Sequence, residues 1–197
     1  KIVRINVARN TNTPVEILKM LATDKEESVR ANAAANPNTE SKILTQLAND
    51  EGLFVCIQVA QNPHTPPDTL TALARSNHVN IVESVANNVT TPVETLHELA
   101  TSFYDSVRES VADNPNTKSE TLTILGKDKN RAVRWWVAQH ANTPTNTLKM
   151  LATDADVEIR DVVQNRRREN VNKYIKTLRV LLQPYFLGRV ISGFVLF

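Results

Sequence analysis

The sequence of 197 residues contains a single cysteine, Cys56. One thiol excludes an internal disulfide and any cysteine-ligated metal cluster within one chain. Glycine is scarce, at four residues, and aromatics make up 5%, which argues against an all-β chain with many tight turns. Neither sign of charge dominates: 23 basic and 21 acidic residues leave a formal net charge of +2. That balance predicts no chain-wide attraction to nucleic acid or to an anionic membrane. Enzyme signatures are missing too, with no phosphate loop, dinucleotide fingerprint, H-E-x-x-H or nucleophile elbow. His64, His78, His97 and His140 fall at different places in the pattern described below, without an i, i+4 pair. No zinc site or other cofactor is therefore expected. No signal peptide is visible, so a cytoplasmic location is the expectation, and the absence of an initiating Met suggests a processed or excised fragment.

What the chain has in abundance is repetition. Val3, Val29, Val55, Ile81, Val107, Val133 and Ile159 follow one another at a spacing of 26 residues with no insertion. Val7, Ala33, Val59, Val85, Val111, Val137 and Val163 come four positions later. The next column is Ala8, Ala34, Ala60, Ala86, Ala112 and Ala138, broken by Gln164. Further into each unit are Leu18, Leu44, Leu70, Leu96, Leu122 and Leu148, with Leu21, Leu47, Leu73, Leu99, Leu125 and Leu151 three residues on. Apolar residues at i, i+3 and i+4 are helical spacing. Each unit thus holds two short helices, one on V-x-x-x-V-A and one on L-x-x-L-A. Helices this short are marginal alone, so the units must stack, and a helix spacing of about 8–10 Å gives a rod about 50–70 Å long.

Punctuation recurs with the same period. Thr13, Thr39, Thr65, Thr91, Thr117 and Thr143 precede the second helices, with Pro14, Pro66, Pro92 or Pro144 next in four units. Glu16, Asp68, Glu94 and Glu120 lie three residues after the Thr, as in a capping box, which predicts Thr as the N-cap. Asp24 with Glu27, and Asp128 and Asp154 in equivalent places, read as start signals for the first helix. Asn10, Asn36, Asn62, Asn88 and Asn114 read as helix stops in the left-handed conformation, with Pro37, Pro63 and Pro115 preventing continuation. The tetrapeptide N-P-N-T, at 36–39 and again at 114–117, is on this reading a stop, a breaker, a linker and a cap.

These residues, in segments such as VRESVADNPNTKSETLTILGKD, resemble leucine-rich repeat variant units and a compact form of HEAT-type repeats. The resemblance covers residues 1 to about 165. It implies an all-α chain folded as a right-handed α-solenoid (superhelix), with the helix after the Pro often partly 3₁₀. The period here is about two residues longer than is usual for leucine-rich repeat variants. One protein type with such repeats carries an N-terminal iron–sulfur segment rich in cysteine, which this sequence does not contain, so the resemblance carries over the fold and no cofactor. The family has no shared enzymatic activity to transfer. HEAT repeats also carry an Asp and an Arg six residues apart that form a ladder between successive units. Asp24 and Arg30, Asp128 and Arg134, and Asp154 and Arg160 match that separation. Asp50 is followed instead by Cys56, Ser76 by Val82, and Ser102 by Arg108. A structural ladder of ion pairs is the expected role, with Arg side chains lining a phosphate-binding groove as the alternative.

Specificity in a solenoid resides on solvent-facing positions, here expected at the third, fourth and seventh residues of each unit, counted with Val29 or its equivalent as the first. The fourth-position row reads Asn6, Asn32, Gln58, Ser84, Ser110, Trp136, and the last row reads Arg9, Ala35, Gln61, Asn87, Asp113, Gln139. This hydrogen-bonding surface is broken by Trp135 and Trp136, which with Gln139 form the candidate partner-binding site. The Trp pair reads either as an aromatic anchor for a partner or as packing against the C-terminal segment. Cys56, placed mid-helix toward the core, reads as a small buried hydrophobe rather than a nucleophile.

After Gln164 the pattern ends. The solenoid of units starting near 3, 29, 55, 81, 107 and 133, with a partial one at 159, gives way to a segment 166–197. In it Val171, Tyr174, Ile175, Leu178, Leu181 and Leu182 predict an amphipathic helix ended by Pro184. A C-terminal capping helix and apolar tail is the leading expectation. The apolar tail is too short to span a bilayer and could also pair two copies as a homodimer. Arg166, Arg167 and Arg168 beside an apolar helix are compatible with an anionic membrane surface. The function expected is a non-catalytic scaffold for a protein or peptide partner, with a helical-repeat nucleic-acid binder as the alternative.

Overall fold

The computed structural model describes the backbone of residues 1–192 and side chains through residue 181. It is an α-solenoid: thirteen helices and, among the described residues, no strand. One layer is formed by the helices built on V-x-x-x-V-A: α1 (Ile2–Arg9), α3 (Glu27–Ala35), α5 (Leu53–Gln61), α7 (Val79–Asn87), α9 (Asp105–Asp113) and α11 (Arg131–Gln139). The second layer is α2 (Val15–Leu21), α4 (Ser41–Leu47), α6 (Pro67–Leu73), α8 (Val93–Leu99), α10 (Ser119–Leu125) and α12 (Thr145–Leu151). The chain then enters one long helix, α13 (Val157–Ser192). Helices of the first layer pack side by side in chain order, and each second-layer helix packs on the first-layer helices flanking it. All six second-layer helices are α-helical over seven residues, where the family resemblance implied partly 3₁₀ geometry.

The core columns are the ones the spacing singles out. Val29, Val55, Val107, Val133 and Ile159 are fully buried, as are the six Ala of the A column and Leu18, Leu44, Leu70, Leu96 and Leu122. Burying each such Leu contributes about 1.5–3 kcal/mol, which is what lets seven-residue helices persist. Val3, in the same column but on the first unit, is 74% exposed. The contrast shows that burial comes from the neighbouring unit and not from within the unit.

The polar punctuation has a different job from the local one expected. Asn10, Asn36, Asn62, Asn88 and Asn114 all have φ between −65° and −73° with extended ψ, and no non-glycine residue among those described has positive φ. The left-handed helix stop is therefore not formed. Instead the Asn of every unit after the first is buried and reaches back one unit. Asn62 Nδ2 donates to Ala34 O (2.7 Å) and Asn36 O (3.1 Å). Asn36, Asn88 and Asn114 repeat the pattern at 2.7–3.0 Å. Each Asn Oδ1 meanwhile accepts from the backbone N–H two residues on. His140 takes the next place through Nε2 to Asn114 O, and Arg166 the last, donating to Ala138 O, His140 O and Ala141 O. In the linker position, Asn38 and Asn116 donate to Thr11 O and Val89 O of the preceding unit.

The Thr column is corrected as well. Thr13, Thr39, Thr65, Thr91, Thr117 and Thr143 donate through Oγ1 to the carbonyl six residues earlier, at the end of the first helix. The N-caps are Pro14, Glu40, Pro66, Pro92, Lys118 and Pro144, none of them with a side-chain cap bond. The Thr hydroxyl satisfies an orphan carbonyl of the helix behind it, a need as real as that of the helix ahead.

Two expectations for the C-terminal segment also change. Pro184 does not end the helix, because α13 continues to Ser192. A proline inside a helix removes one hydrogen bond and does not by itself stop the chain. The covering of the sixth unit is done by the first turns of α13, where Ile159 and Val163 are buried. The apolar residues expected to carry a cap, Val171, Tyr174, Ile175, Leu178 and Leu181, are 36–66% exposed. Leu182, Pro184 and the apolar tail fall where side chains are not described.

Candidate interaction surface

The Arg column determines which basic side chains are free to meet a ligand. Its pairing runs twenty residues forward, not six residues back. Arg30 Nε and Nη2 donate to Asp50 Oδ2 (2.6 Å) and Oδ1 (2.8 Å), and Nη1 donates to Asp24 O (2.8 Å). Arg108 grips Asp128 in the same way, with Nη1 on Ser102 O. Arg134 grips Asp154, with Nη1 on Asp128 O. Arg4 pairs with Asp24 at 2.6 Å. Arg160 keeps the carbonyl contacts, to Asp154 O and Ala155 O. Thus the residues six apart do belong to one rung, but through the Asp carbonyl; the Asp carboxylate belongs to the preceding unit's Arg.

Electrostatics follow the geometry. Arg108 is 6% exposed, and its pairs with Asp128 and then Asp105 raise its pKa despite desolvation. Burial works to raise the Asp128 carboxyl, but Arg108 and the Asn130 N–H outweigh it and leave it below the usual range. Asp50 and Asp154 are lowered chiefly by Arg30 and Arg134. Two rungs are absent as complete pairs, Cys56 with Ser76 and Val82 with Ser102. Cys56 Sγ takes over the carbonyl contact, to Asp50 O at 3.3 Å, and an opening of about 320 Å3 lined by Cys56, Asp50, Arg75, Ser76 and His78 lies beside it. Burial pushes the Cys56 thiol up, which disfavours the thiolate that nucleophilic chemistry needs. Among the described residues no group of three or more His, Cys, Asp or Glu side chains could hold a metal ion.

The solvent-facing rows are narrower than the spacing predicts. Ser84 and Ser110, in the fourth-position row, are buried between first-layer helices. The row Arg9, Ala35, Gln61, Asn87, Asp113, Gln139 is exposed throughout. Trp135 and Trp136 meet edge to face, with centroids 4.9 Å apart and planes at 83°. Both are half-buried and pack against the core cluster. Gln139 is exposed and lines a groove between α11 and α13 with Ala138, Ala141, Val162, Asn165 and Glu169, and neither Trp forms its wall. The structure therefore separates the three candidate residues: Gln139 faces the solvent-filled groove, and the two Trp pack against the core outside it.

Exposed aromatics lie elsewhere. Phe103 is 87% and Tyr104 48% exposed, stacked edge to face at 5.7 Å before α9. Phe54, 65% exposed, borders a groove between α3 and α5 with Glu27, Ala31 and Gln58. The signal for Phe103 and Tyr104 was a large aromatic residue at loop positions that are polar or small in other units.

No protein-family model matches the chain, and neither does any curated protein. Among solved structures it is similar to a leucine-rich repeat variant described as having a novel repetitive structural motif, with 27% identity and a TM-score of 0.64. That alignment covers 84% of this chain and 65% of the other, so the chain spans about two thirds of that protein's length. Two engineered proteins align at 17% and 20% identity over 86% of the chain and 89% and 52% of their own lengths, with TM-scores of 0.43 and 0.35. The chain is a helical repeat protein, similar along most of its length to a leucine-rich repeat variant.

Proposed function

We propose that the protein is a non-catalytic interaction scaffold that binds a protein or peptide segment along the exposed edge of the first helix layer. The observation that carries this reading is the division of labour between columns. Val, Ala, Leu, Asn, Thr and Arg columns are spent on stacking, while the one row of the first helix layer that is exposed in all six units varies as Arg9, Ala35, Gln61, Asn87, Asp113, Gln139. The α11–α13 groove, with Gln139 exposed on its wall, is the preferred contact, and Trp135 and Trp136 on the same helix α11 pack against the core.

Charge supports a protein partner over nucleic acid. Seven of the 23 basic residues but only one of the 21 acidic ones follow Asn165, so residues 1–165 carry a net charge of −4. Arg30, Arg108 and Arg134 are paired with carboxylates, which argues against their lining a phosphate-binding groove. A cytoplasmic setting suits an exposed repeat with one unpaired thiol.

Affinity capture from a native lysate, split into nuclease-treated and untreated halves, tests the reading. Capture is expected to survive nuclease and to be lost with Gln139→Arg, whose exposed site leaves the fold intact. Loss of all capture after nuclease overturns it.

A further inference from the structure

The part of α13 beyond Arg166 is a helix without a neighbour. Every side chain from Arg167 to Leu181 is exposed. At about 100° per residue, Val171, Ile175, Leu178, Tyr174 and Leu181 fall on one stripe about 120° wide. Arg167 stands at the N-terminal end of that stripe, Arg168 and Arg179 border one edge of it, and Lys173 and Lys176 occupy the side away from it; Val180 is the one apolar residue from 167 to 181 outside the stripe. After Asn165 the sequence holds seven basic residues and one acidic residue, Glu169, a net charge of +6 against −4 for the solenoid.

We propose that this segment of α13 lies in the surface of an anionic lipid bilayer and attaches the scaffold to it. The surface that covers the stripe must be apolar along the helix and negatively charged beside it. A lipid interface offers both together: acyl chains take the stripe, headgroups take the Arg and Lys, and Tyr174 sits at the boundary between them. The long Arg168 and Arg179 side chains reach the headgroup level while their methylene stems follow the edge of the apolar stripe, and Lys173 and Lys176 add attraction to the anionic surface from the far side of the helix. Pairing two copies through the stripe would bring two strongly basic helices together with a single acidic residue each to offset them. A protein groove would need carboxylates beside the edge that Arg168 and Arg179 border. No described helix is long and apolar enough to cross a membrane, so the contact lies in the plane of the surface.

The same geometry orients the scaffold. Arg166 is both the last rung of the carbonyl column, bonded to Ala138 O, His140 O and Ala141 O, and the first residue of the basic run. The helix is thereby tied to the sixth unit at the point where it leaves the solenoid. The acidic solenoid is repelled by the surface that attracts its helix, and is held clear of it.

Flotation of the whole chain with phosphatidylcholine vesicles, with or without phosphatidylserine, tests the proposal. Binding is expected only with phosphatidylserine and is expected to fall as salt is raised. Lys173→Gln, Lys176→Gln and Arg179→Gln should each weaken partitioning about fivefold, and Ile175→Gln with Leu178→Gln should abolish it. All are exposed, so thermal unfolding of the solenoid should not move. Absence of binding to the phosphatidylserine vesicles overturns the proposal, as does equal binding to both compositions. So does a dimer in sedimentation that Ile175→Gln with Leu178→Gln dissociates while vesicle binding persists. Gln139→Arg leaves vesicle binding unchanged, which keeps this test separate from the partner-binding one.

Discussion

Arg30 and Asp50 face each other as a two-pronged pair, Nε to Oδ2 at 2.6 Å and Nη2 to Oδ1 at 2.8 Å, across the boundary between the second and third units. The third prong of the same guanidinium holds the Asp24 carbonyl at 2.8 Å. One side chain thus ties the loop that begins its own unit to the loop that begins the next.

Arg108 is the most buried member of this column, so removing it strands Asp128 in a desolvated place. Arg108→Ala is expected to cost about 3–5 kcal/mol, the range for breaking a buried pair by deleting one partner. Asp128→Ala should cost a similar amount, and the double variant clearly less than the sum. Urea denaturation checks this; an unchanged midpoint for Arg108→Ala would show that the pair contributes nothing.

The two missing rungs allow the converse experiment. Cys56→Arg with Ser76→Asp rebuilds a pair where Cys56 borders an opening of about 320 Å3. Each single change introduces a charge without its partner and should destabilise. The double variant should recover, with a coupling of about 1–3 kcal/mol. Additive behaviour in the cycle would mean that the opening cannot host the fork.

Asn88 Nδ2 donates to Ala60 O and Asn62 O from a buried position. Asn88→Ala leaves two buried carbonyls without that donor and should cost about 1–3 kcal/mol. Asn88→Asp should cost more, since it sets a carboxylate against the same carbonyls. The comparison is made from denaturant midpoints at constant slope.

Acid should weaken the solenoid in a defined window. Asp50 and Asp154, held by Arg30 and Arg134, titrate below the ordinary value of 3.8 when folded. Asp24 does so chiefly through the Glu26 N–H. A lowered folded-state pKa means that the unfolded chain takes up protons first. The stabilisation is therefore complete above the unfolded value and is lost as pH falls through the folded one. The melting temperature should be level from about pH 5 to 7 and drop below about pH 4. Asp154→Asn should be less stable at neutral pH and lose less on acidification.

The apolar columns were legible in full because burial demands a residue class at a spacing, and Val55, Leu70 or Ala86 could satisfy nothing else. The polar columns were misread in a consistent way. Asn36 and Thr39 carry the chemistry of local helix stops and caps, and local partners are the first a linear reading finds. The true acceptor of Asn36, Ala8 O, depends on how units stack, while that of Thr39, Ala33 O, lies six residues back at the end of the preceding helix, behind the residue and not ahead of it. For the Arg column a sufficient signal was present: at a separation of twenty, Arg4, Arg30, Arg108 and Arg134 all meet Asp, while Cys56 and Val82 both meet Ser. At a separation of six, Asp50 and Arg108 are left unmatched. Of the candidate site, the exposure of Gln139 could be read from its row. The support of Trp135 and Trp136 by the core could not, since it depends on where α11 rests. The run of α13 through Pro184 was hidden because no packing partner past Arg166 marks where the helix should stop.

The asparagine column also constrains how such a chain can change in length. Each amide donates to carbonyls 26 and 28 residues behind it, and its own carbonyl receives the next amide ahead. A single inserted or deleted residue between one such Asn and the next would slide the second amide off its acceptors. A whole added unit brings one new donor and one new acceptor and leaves every other contact in phase. The molecule behaves like a rack with fixed tooth spacing: it can be extended or shortened by complete teeth, and any fractional change jams it.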